Sequence, residues 1–285
     1  MISILVAGLI YLFSGQHDII GSYDESENMK YRHFGLYKQV MASIDKILPL
    51  TKQMYRDNKS VSYDIADHVF GPAKSAQVDT FIDLCSNPGA ISQWILDTHR
   101  GARGVGLSLS PSEGGYRLSR ALATEYSDRY NQYDFNLLSS KFKHVPQLYD
   151  QNKKLCKYDL VHIGCFIKHN QNITMDNEEF QLKSYRLILE LLKPGGALIW
   201  TLNWKWTIGD MYSGIRQAYN DFETVYIKFD HKFLPALSVV YITGIGYSPG
   251  IHSYAISEIE NKIESKFARW LEHINGIAQG TIKYP

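Results

Sequence analysis

Apolar residues along the middle of the chain form a pattern that predicts strands separated by helices. Six runs have the length and composition of strands, at 80–86, 104–109, 158–163, 197–202, 224–229 and 238–243. Helical spacing between the first five runs predicts helices at 90–98, 116–130, 178–192 and 209–220. This alternation predicts an α/β fold with a parallel sheet covered on both faces. The last two runs, joined by a short link, predict an antiparallel hairpin at one edge.

Two further helical patterns flank this region. The first ends before Pro49 and comprises Phe34, Tyr37, Met41, Ile44 and Leu48. The second lies within 257–274 and places Ile259, Ile263, Phe267, Trp270 and Ile274 on one face, which predicts a helix that docks on the core or on another subunit. The chain therefore divides into an N-terminal apolar and helical extension (1–78), an α/β domain (79–248) and a C-terminal amphipathic helix (249–285).

The chain starts with the apolar stretch "MISILVAGLIYLFSG". Its apolar run is about a dozen residues, whereas a membrane-spanning helix needs roughly twenty. No Lys or Arg precedes the run, so we do not expect a cleaved secretory signal. We interpret it as a core element or as a segment that packs on a partner subunit, which would make a homo-oligomer. No membrane association is expected.

Composition and charge narrow the class of partner. The 285 residues are 45% hydrophobic and carry a net charge of +1, so the chain can bury a large core and has no overall field that attracts a polyanion. The three cysteines, Cys85, Cys156 and Cys165, are far apart and form no CxxC pair. This spacing favours reduced thiols in a cytoplasmic or nuclear protein and argues against a zinc site.

The segment "DTFIDLCSNPGAISQWIL" (79–96) is a predicted strand that breaks at Ser86-Asn87-Pro88-Gly89 and continues as a helix. In an open parallel sheet, the first strand-to-helix turn lies beyond the carboxyl end of the strand, where ligands bind and helix amides are free. The break therefore suggests a cofactor loop, with a tight structural turn as the alternative. A dinucleotide site would have G-x-G-x-x-G, whereas this loop has Gly89 alone.

A series of segments between about Lys30 and Tyr247 resembles, in order, the motifs of the FtsJ-like family of S-adenosylmethionine-dependent methyltransferases. The segments are "DLCSNPGAISQWIL", "GVGLSLS", "YDF", "YDLVHIG", "LLKPGGALIWTL" and "FETVYIKF…SVVYITGIGY". The resemblance implies a Rossmann-like, seven-stranded sheet, mostly parallel, whose last strand is antiparallel. It also implies S-adenosylmethionine as the cofactor.

The family's cofactor positions can be transferred to this sequence one at a time. The resemblance implies that Asp83 closes the first strand and orients the loop, and that the loop wraps the methionine part of the cofactor. Asp134 matches the acid that accepts from the adenine amino group. The ribose-binding acid is missing, and Ser108 and Ser110 lie in its place, with Glu113 further on. The implied cofactor residues are Asp83, Cys85, Ser86, Asn87, Pro88, Gly89, Ser108 and Asp134.

The catalytic positions match less well. The family methylates ribose 2′-hydroxyls with a Lys-Asp-Lys-Glu tetrad, whose second lysine takes the hydroxyl proton. Lys38 matches the first lysine, but the other three positions hold Gly164, Thr201 and Val239. These side chains do not remove a proton from a hydroxyl whose pKa is far above neutrality. We therefore do not expect the ribose mechanism.

Other polar residues follow the fourth and fifth strands near the expected cleft. Histidine is the side chain best suited to proton transfer near neutral pH. His162 lies inside an apolar strand and is interpreted as a core histidine, with a role as base as the alternative; Lys168, His169 and Lys205 are equally consistent with solvated loops. The candidate catalytic residues are Lys38, His169, Asn203 and Lys205. An aromatic group either lines a substrate pocket or packs a core, and comprises Trp200, Trp204, Trp206 and Tyr212.

Two basic stretches, "KFKH" (141–144) and "KKLCK" (153–157), could contact RNA phosphates, although solvated loops have the same composition. The sequence thus favours an S-adenosylmethionine-dependent methyltransferase that acts on a small molecule, with RNA as a less favoured substrate. One alternative is a cofactor-binding partner subunit or sensor that has lost catalysis. Another is an enzyme that uses this fold for a reaction other than methylation.

Overall fold

The computed structural model describes most of the α/β region and the C-terminal helix. The described residues are 61–86, 88–113, 117–135, 145–164, 177–203, 208–229, 239–250 and 256–282. Within these ranges the chain forms six α-helices, three short 3-10 helices and seven strands. The apolar N-terminal segment and the helix predicted before Pro49 lie outside the described residues.

Helices separate most of the first five strands. The strands are β1 (Thr80–Leu84), β2 (Arg103–Ser108), β3 (Tyr130–Asp134), β4 (Tyr158–Ile163), β5 (Leu192–Asn203), β6 (Phe222–Phe229) and β7 (Val239–Tyr247). The helices are α1 (Val61–Val69), α2 (Ala90–Thr98), α3 (Arg120–Thr124), α4 (Asn177–Leu191), α5 (Ile208–Asp221) and α6 (Ile256–Ala278). The 3-10 helices are Gly71–Ser75, Pro111–Glu113 and Pro146–Leu148.

All seven strands form one sheet in the order β3-β2-β1-β4-β5-β7-β6. Strands β1 to β5 pair in parallel, and β7 is antiparallel to both β5 and β6. The sequence-based expectation of a seven-stranded, mostly parallel sheet with an antiparallel last strand is confirmed. Because the strand order reverses direction between β1 and β4, the carboxyl ends of these two strands border the crevice where such folds bind ligands.

Each face of the sheet is covered by its own apolar core. Ile82 and Leu84 of β1 belong to one core, whereas Phe81 belongs to the other, as the alternation of side chains along a strand requires. On the second face, the Trp94 indole N–H of α2 donates to Asp67 of α1 at 3.1 Å, and the Phe70 ring lies 6.1 Å from the Trp94 ring. Helix α1 thereby closes the core over α2.

The C-terminal helix docks on the sheet as its apolar spacing predicts. Ile259, Trp270 and Ile274 are buried, and the Trp270 ring lies 6.1 Å from the Phe229 ring of β6. Within the described ranges, no helix combines the length and the apolar character that a membrane crossing requires.

The segment between β2 and β3 differs from its prediction. The pattern over 116–130 predicts one helix, but the structure has the short helix α3 and then β3, which begins at Tyr130. Ser119 caps α3 by accepting from the Leu122 N–H at 3.4 Å. Strand β3 has the sequence YNQYD and lies at the edge of the sheet, so it carries no continuous apolar run that would identify it.

Candidate functional site

The chain leaves β1 through a left-handed turn at Cys85. This residue has φ 68°, a conformation that costs a non-glycine residue about 1 to 3 kcal/mol. The Cys85 and Ser86 amides both donate to the Leu107 carbonyl of β2, at 2.6 and 3.3 Å. These bonds hold the start of the predicted cofactor loop against the carboxyl end of β2.

Cys85 also takes part in a disulfide bond, whereas Cys156 is free. The expectation of reduced thiols is therefore wrong for Cys85. That expectation was based on separation along the chain, which does not prevent contact in a sheet whose neighbouring strands come from distant segments.

The loop ends at Gly89, which begins α2. Gly89 has φ 104°, and a Cβ atom added there would overlap the Leu122 side chain of α3, so both its conformation and its surroundings require glycine. The Pro88 carbonyl accepts from the Ser119 N–H at 2.9 Å, which fixes the loop to the segment before α3. Asn87 lies outside the described residues. The first turn of α2 therefore faces the carboxyl edge of the sheet, as the sequence predicts.

Asp83, the last polar residue of β1, is completely buried beneath this loop. Its Oδ1 lies 2.6 Å from Nδ1 of His162 in β4, and its Oδ2 accepts from the Ser92 hydroxyl of α2 at 2.5 Å. The β1–β4 register places Asp83 directly beside His162. Both carboxylate oxygens are thus engaged inside the fold, and Asp83 connects β1 to β4 and to α2.

Hydrogen bonds continue from Ser92 towards the loop. Ser92 Oγ lies 3.1 Å from the Tyr130 hydroxyl, which donates to Gln132 Oε1 at 2.9 Å. Ser86 of the loop donates to the same Gln132 oxygen at 2.9 Å. Burial, followed by the nearby Asp83 charge, raises the pKa of Tyr130 well above its usual range, so its hydroxyl stays protonated and donates. The loop is therefore fastened to the buried polar network.

The network depends on a glycine in β2. A Cβ atom added at Gly106 would overlap the Tyr130 hydroxyl and Gln132 Oε1. Ser92, Tyr130 and Gln132 are not among the site residues predicted from the sequence. Two signals were available: the serine on the apolar face of α2, and the spacing of Gly104 and Gly106 on one face of a strand.

The predicted adenine-side residues lie together at the carboxyl edge. Ser108 ends β2 and is directly opposite Asp134, which ends β3. Ser108 is buried and Asp134 is exposed, so the carboxylate faces solvent beside the loop. Glu113 is engaged locally, since it accepts from the Ser110 hydroxyl at 3.1 Å.

Most of the proposed catalytic residues cannot be placed. Lys38, His169 and Lys205 lie outside the described residues. The backbone of Asn203 ends β5 opposite Val239, but its side chain is not among those described.

Two of the positions that the resemblance assigns to the tetrad are close together in the structure. A Cβ atom added at Gly164 would lie 4.0 Å from Thr201 Oγ1. Gly164 and Thr201 both lie near the edge of the sheet where β4 and β5 end.

Trp200, from the aromatic group, packs in a core. It is 1% exposed, and its ring lies 5.0 Å from the Tyr185 ring. The side chains of Trp204, Trp206 and Tyr212 are outside the described part of the chain.

Only one of the two basic stretches can be placed. Lys153 and Lys154 are exposed in a turn that Asp150 caps by accepting from the Asn152 and Lys154 amides, both at 2.8 Å. Residues 141–144 are not described, so their expected contact with phosphates stays a prediction.

The seven-stranded sheet, its strand order and its antiparallel β7 define the Rossmann-like methyltransferase fold. No family model matches the sequence, and no curated protein matches it.

Solved structures with a similar fold include three methyltransferases. An O-methyltransferase from Bacillus cereus in complex with SAH is 12% identical, with a TM-score of 0.47 over 86% of this chain and 100% of that one. The O-methyltransferase TomG from Streptomyces achromogenes, with SAM, is 11% identical, with a TM-score of 0.45 over 70% and 88%. Human methyltransferase-like protein 13, with SAH, is 12% identical, with a TM-score of 0.42 over 76% and 90%. Because these three TM-scores are below 0.5, the fold is assigned from the strand order and pairing of the sheet and not from the similarity to these structures.

Proposed function

We propose that this protein is an FtsJ-like, S-adenosylmethionine-dependent methyltransferase that acts on a small molecule. The observation that supports this most directly is the grouping, at the carboxyl edge, of the turn at Cys85, the first turn of α2, Ser108 and the exposed Asp134. These come from three adjacent strands and one helix. Together they offer an anion-binding helix terminus at one end and a carboxylate at the other.

The donor set of this edge suits the cofactor. The free amides at the start of α2 complement the carboxylate of the methionine part, because a helix N-terminus attracts negative charge. Asp134 has the acceptor oxygens that an adenine amino group requires, and it lies at the end of β3. When bound, S-adenosylmethionine supplies an electrophilic methyl group, and the chain supplies alignment with the acceptor.

We assign the substrate to small molecules because three of the four tetrad positions that methylate ribose hold other residues. Gly164 and Thr201 lie together where the family has an aspartate and a lysine, and neither side chain takes a proton from an aliphatic hydroxyl. The net charge of +1 gives RNA no overall attraction, and Lys153 and Lys154 lie in an exposed turn. The candidates Lys38, His169, Asn203 and Lys205 remain assigned to the acceptor side of the cleft.

A cofactor-binding partner subunit or sensor is the second candidate function. The same absence of tetrad side chains at Gly164, Thr201 and Val239 favours it. Such a protein would keep the adenine-side and loop residues and would bind the cofactor without turning it over.

Isothermal titration calorimetry tests the cofactor. We expect the purified protein to bind S-adenosylmethionine and S-adenosylhomocysteine, and Asp134→Ala to weaken binding at least about tenfold, because a lost hydrogen bond to a charged group costs about 1.5 to 3 kcal/mol. Glu125→Ala is a matched control, since Glu125 is an exposed acid near the other end of β3. Absence of binding by the unaltered protein would show that the fold serves another purpose.

Methyl transfer from tritiated S-adenosylmethionine tests the substrate class. We expect no incorporation into capped RNA or ribosomal RNA, because the proton-transfer residues for a ribose hydroxyl are absent, and we expect incorporation into small aromatic acceptors. Robust methylation of a 2′-hydroxyl that Lys38→Ala abolishes would overturn the assignment and reveal a substitute base.

A further inference from the structure

We propose that His162, oriented by Asp83, takes the proton from an aromatic hydroxyl group that binds above Gly164. The inference builds on the proposed methyltransferase function and names the group that replaces the missing tetrad lysine. It treats His162 as the proton acceptor and Asp83 as a positioning residue.

One ring nitrogen of His162 is engaged and the other is not. Nδ1 lies 2.6 Å from the Asp83 carboxylate, whereas Nε2 has no hydrogen-bond partner among the described residues. The side chain is 5% exposed. A buried nitrogen without a partner costs roughly 1 to 3 kcal/mol, so a native protein keeps one where a ligand or water completes it.

Among the described residues, Nε2 faces the position where Gly164 has no side chain. A Cβ atom added at Gly164 would lie 3.3 Å from Nε2 and 3.1 Å from Cε1, so any larger residue there would cover this edge of the ring. The same position is 4.0 Å from Thr201 Oγ1. Gly164 directly follows β4, next to β1 at the point where the strand order reverses. The buried, unpartnered nitrogen is therefore at the part of the sheet edge where ligands of this fold class bind.

The hydrogen bonds around Asp83 determine which nitrogen can accept. An ionised carboxylate only accepts, so Nδ1 carries a proton and, in the neutral ring, Nε2 holds the lone pair. Ser92 holds the second Asp83 oxygen at 2.5 Å, and the Phe70 ring packs edge-on against the imidazole at 6.2 Å between centroids.

The proposed step transfers a methyl group to the aromatic hydroxyl and a proton to His162. With S-adenosylmethionine bound, the acceptor oxygen would form a bond to the methyl carbon as the bond between that carbon and sulfur breaks, and the electron pair of the broken bond would return to sulfur. The hydroxyl proton moves to His162 Nε2 and leaves to solvent after the products separate. The products are the methyl ether and S-adenosylhomocysteine.

The base strength of imidazole selects the class of hydroxyl. A neutral imidazole accepts protons near neutral pH, and an aromatic hydroxyl resembles the tyrosine side chain, whose pKa is about 10. Proton transfer is effective when the two pKa values approach each other as the methyl group arrives. A ribose hydroxyl is much less acidic, and the tetrad positions beside Nε2 hold Gly164 and Thr201.

Nuclear magnetic resonance of the full chain with ¹⁵N-labelled histidine tests the inference, with and without saturating S-adenosylhomocysteine. We expect catechol and 4-nitrophenol to shift the His162 Nε2 resonance and adenosine, the ribose probe, to leave it unchanged. Gly164→Ala keeps the bond from Nδ1 to Asp83 but fills the space, so it should abolish the shift. His99→Gln is the matched control, because His99 Nε2 also lacks a partner among the described residues but lies at the far end of α2.

Binding and turnover separate this inference from the proposed function. We expect His162→Gln and Gly164→Ala to keep the affinity for S-adenosylhomocysteine within about threefold. We expect both to lower kcat for methylation of catechol at least about tenfold, the lower range for a positioned base. The inference is overturned if phenols leave the Nε2 resonance unchanged, if Gly164→Ala retains the full shift, or if His162→Gln mainly weakens cofactor binding. Failure of S-adenosylhomocysteine to bind the unaltered protein would instead overturn the proposed function, whatever the phenols do.

Discussion

Replacing Asp83 with alanine is expected to lower the free energy of unfolding by about 3 to 5 kcal/mol, the usual cost of removing one member of a buried polar pair. The carboxylate is fully buried and receives hydrogen bonds from both Ser92 and His162. Its removal leaves two donors in an apolar environment and a cavity between β1, β4 and α2. This side chain therefore contributes to stability as well as to any chemistry at His162.

Urea unfolding monitored by circular dichroism measures this effect. Asp83→Asn retains the shape and one acceptor oxygen, so it should cost less than Asp83→Ala. In the double variant with Ser92→Ala, the two costs should not add, because both substitutions remove the same hydrogen bond. A loss below about 1 kcal/mol for Asp83→Ala would show that the buried pair is not formed as described.

Trp200→Ala should lower the free energy of unfolding by a similar amount, about 3 to 5 kcal/mol, because it removes a large buried ring and leaves a cavity. The ring packs against Tyr185 of α4 at 5.0 Å. A Cβ atom added at Gly214 of α5 would lie 2.8 Å from it, so this helix packs directly on the ring. One side chain thus joins two helices to β5.

The matched control is Tyr226→Ala, which removes an exposed aromatic residue of β6. Surface substitutions usually change stability by about 0.5 kcal/mol or less. Equal losses for the two variants in thermal or urea unfolding would contradict the assignment of Trp200 to the core.

Strong apolar periodicity explains why much of the fold could be predicted. The segment from Thr80 to Thr98 changes from a strand pattern to a helix pattern at one proline and one glycine, and α2 has the predicted bounds. Strand β3 was identifiable only through the family resemblance, because an edge strand with one buried face and several polar residues has no distinctive pattern. Elements with a deeply buried apolar face were therefore predicted from their pattern, whereas the less buried edge strand was not.

The candidate site was harder to predict than the fold. Asp83, Gly89 and Asp134 stand out in the sequence because each lies at or near the end of a strand or opens a helix. The partners of Asp83 do not, since His162 joins it only through the pairing of β1 with β4. The apolar sequence of β4 predicts that His162 is a core histidine, and the burial of His162 in the structure confirms this prediction. The position of His162 Nε2 beside Gly164, without a hydrogen-bond partner among the described residues, can be recognised only from the ring orientation in the structure.

The position of β7 has a consequence for synthesis of the protein. Residues 197–203 of β5 pair with 239–245 of β7, so a ribosome releases β5 well before the strand that covers its second edge. Until residue 245 emerges, the apolar edge strand "ALIWTLN" presents unpaired backbone groups, the arrangement that other chains recruit into aggregates. A product that stops between β5 and β7 should therefore be insoluble. We therefore expect the nascent chain to depend on rapid completion or on a chaperone that shields β5.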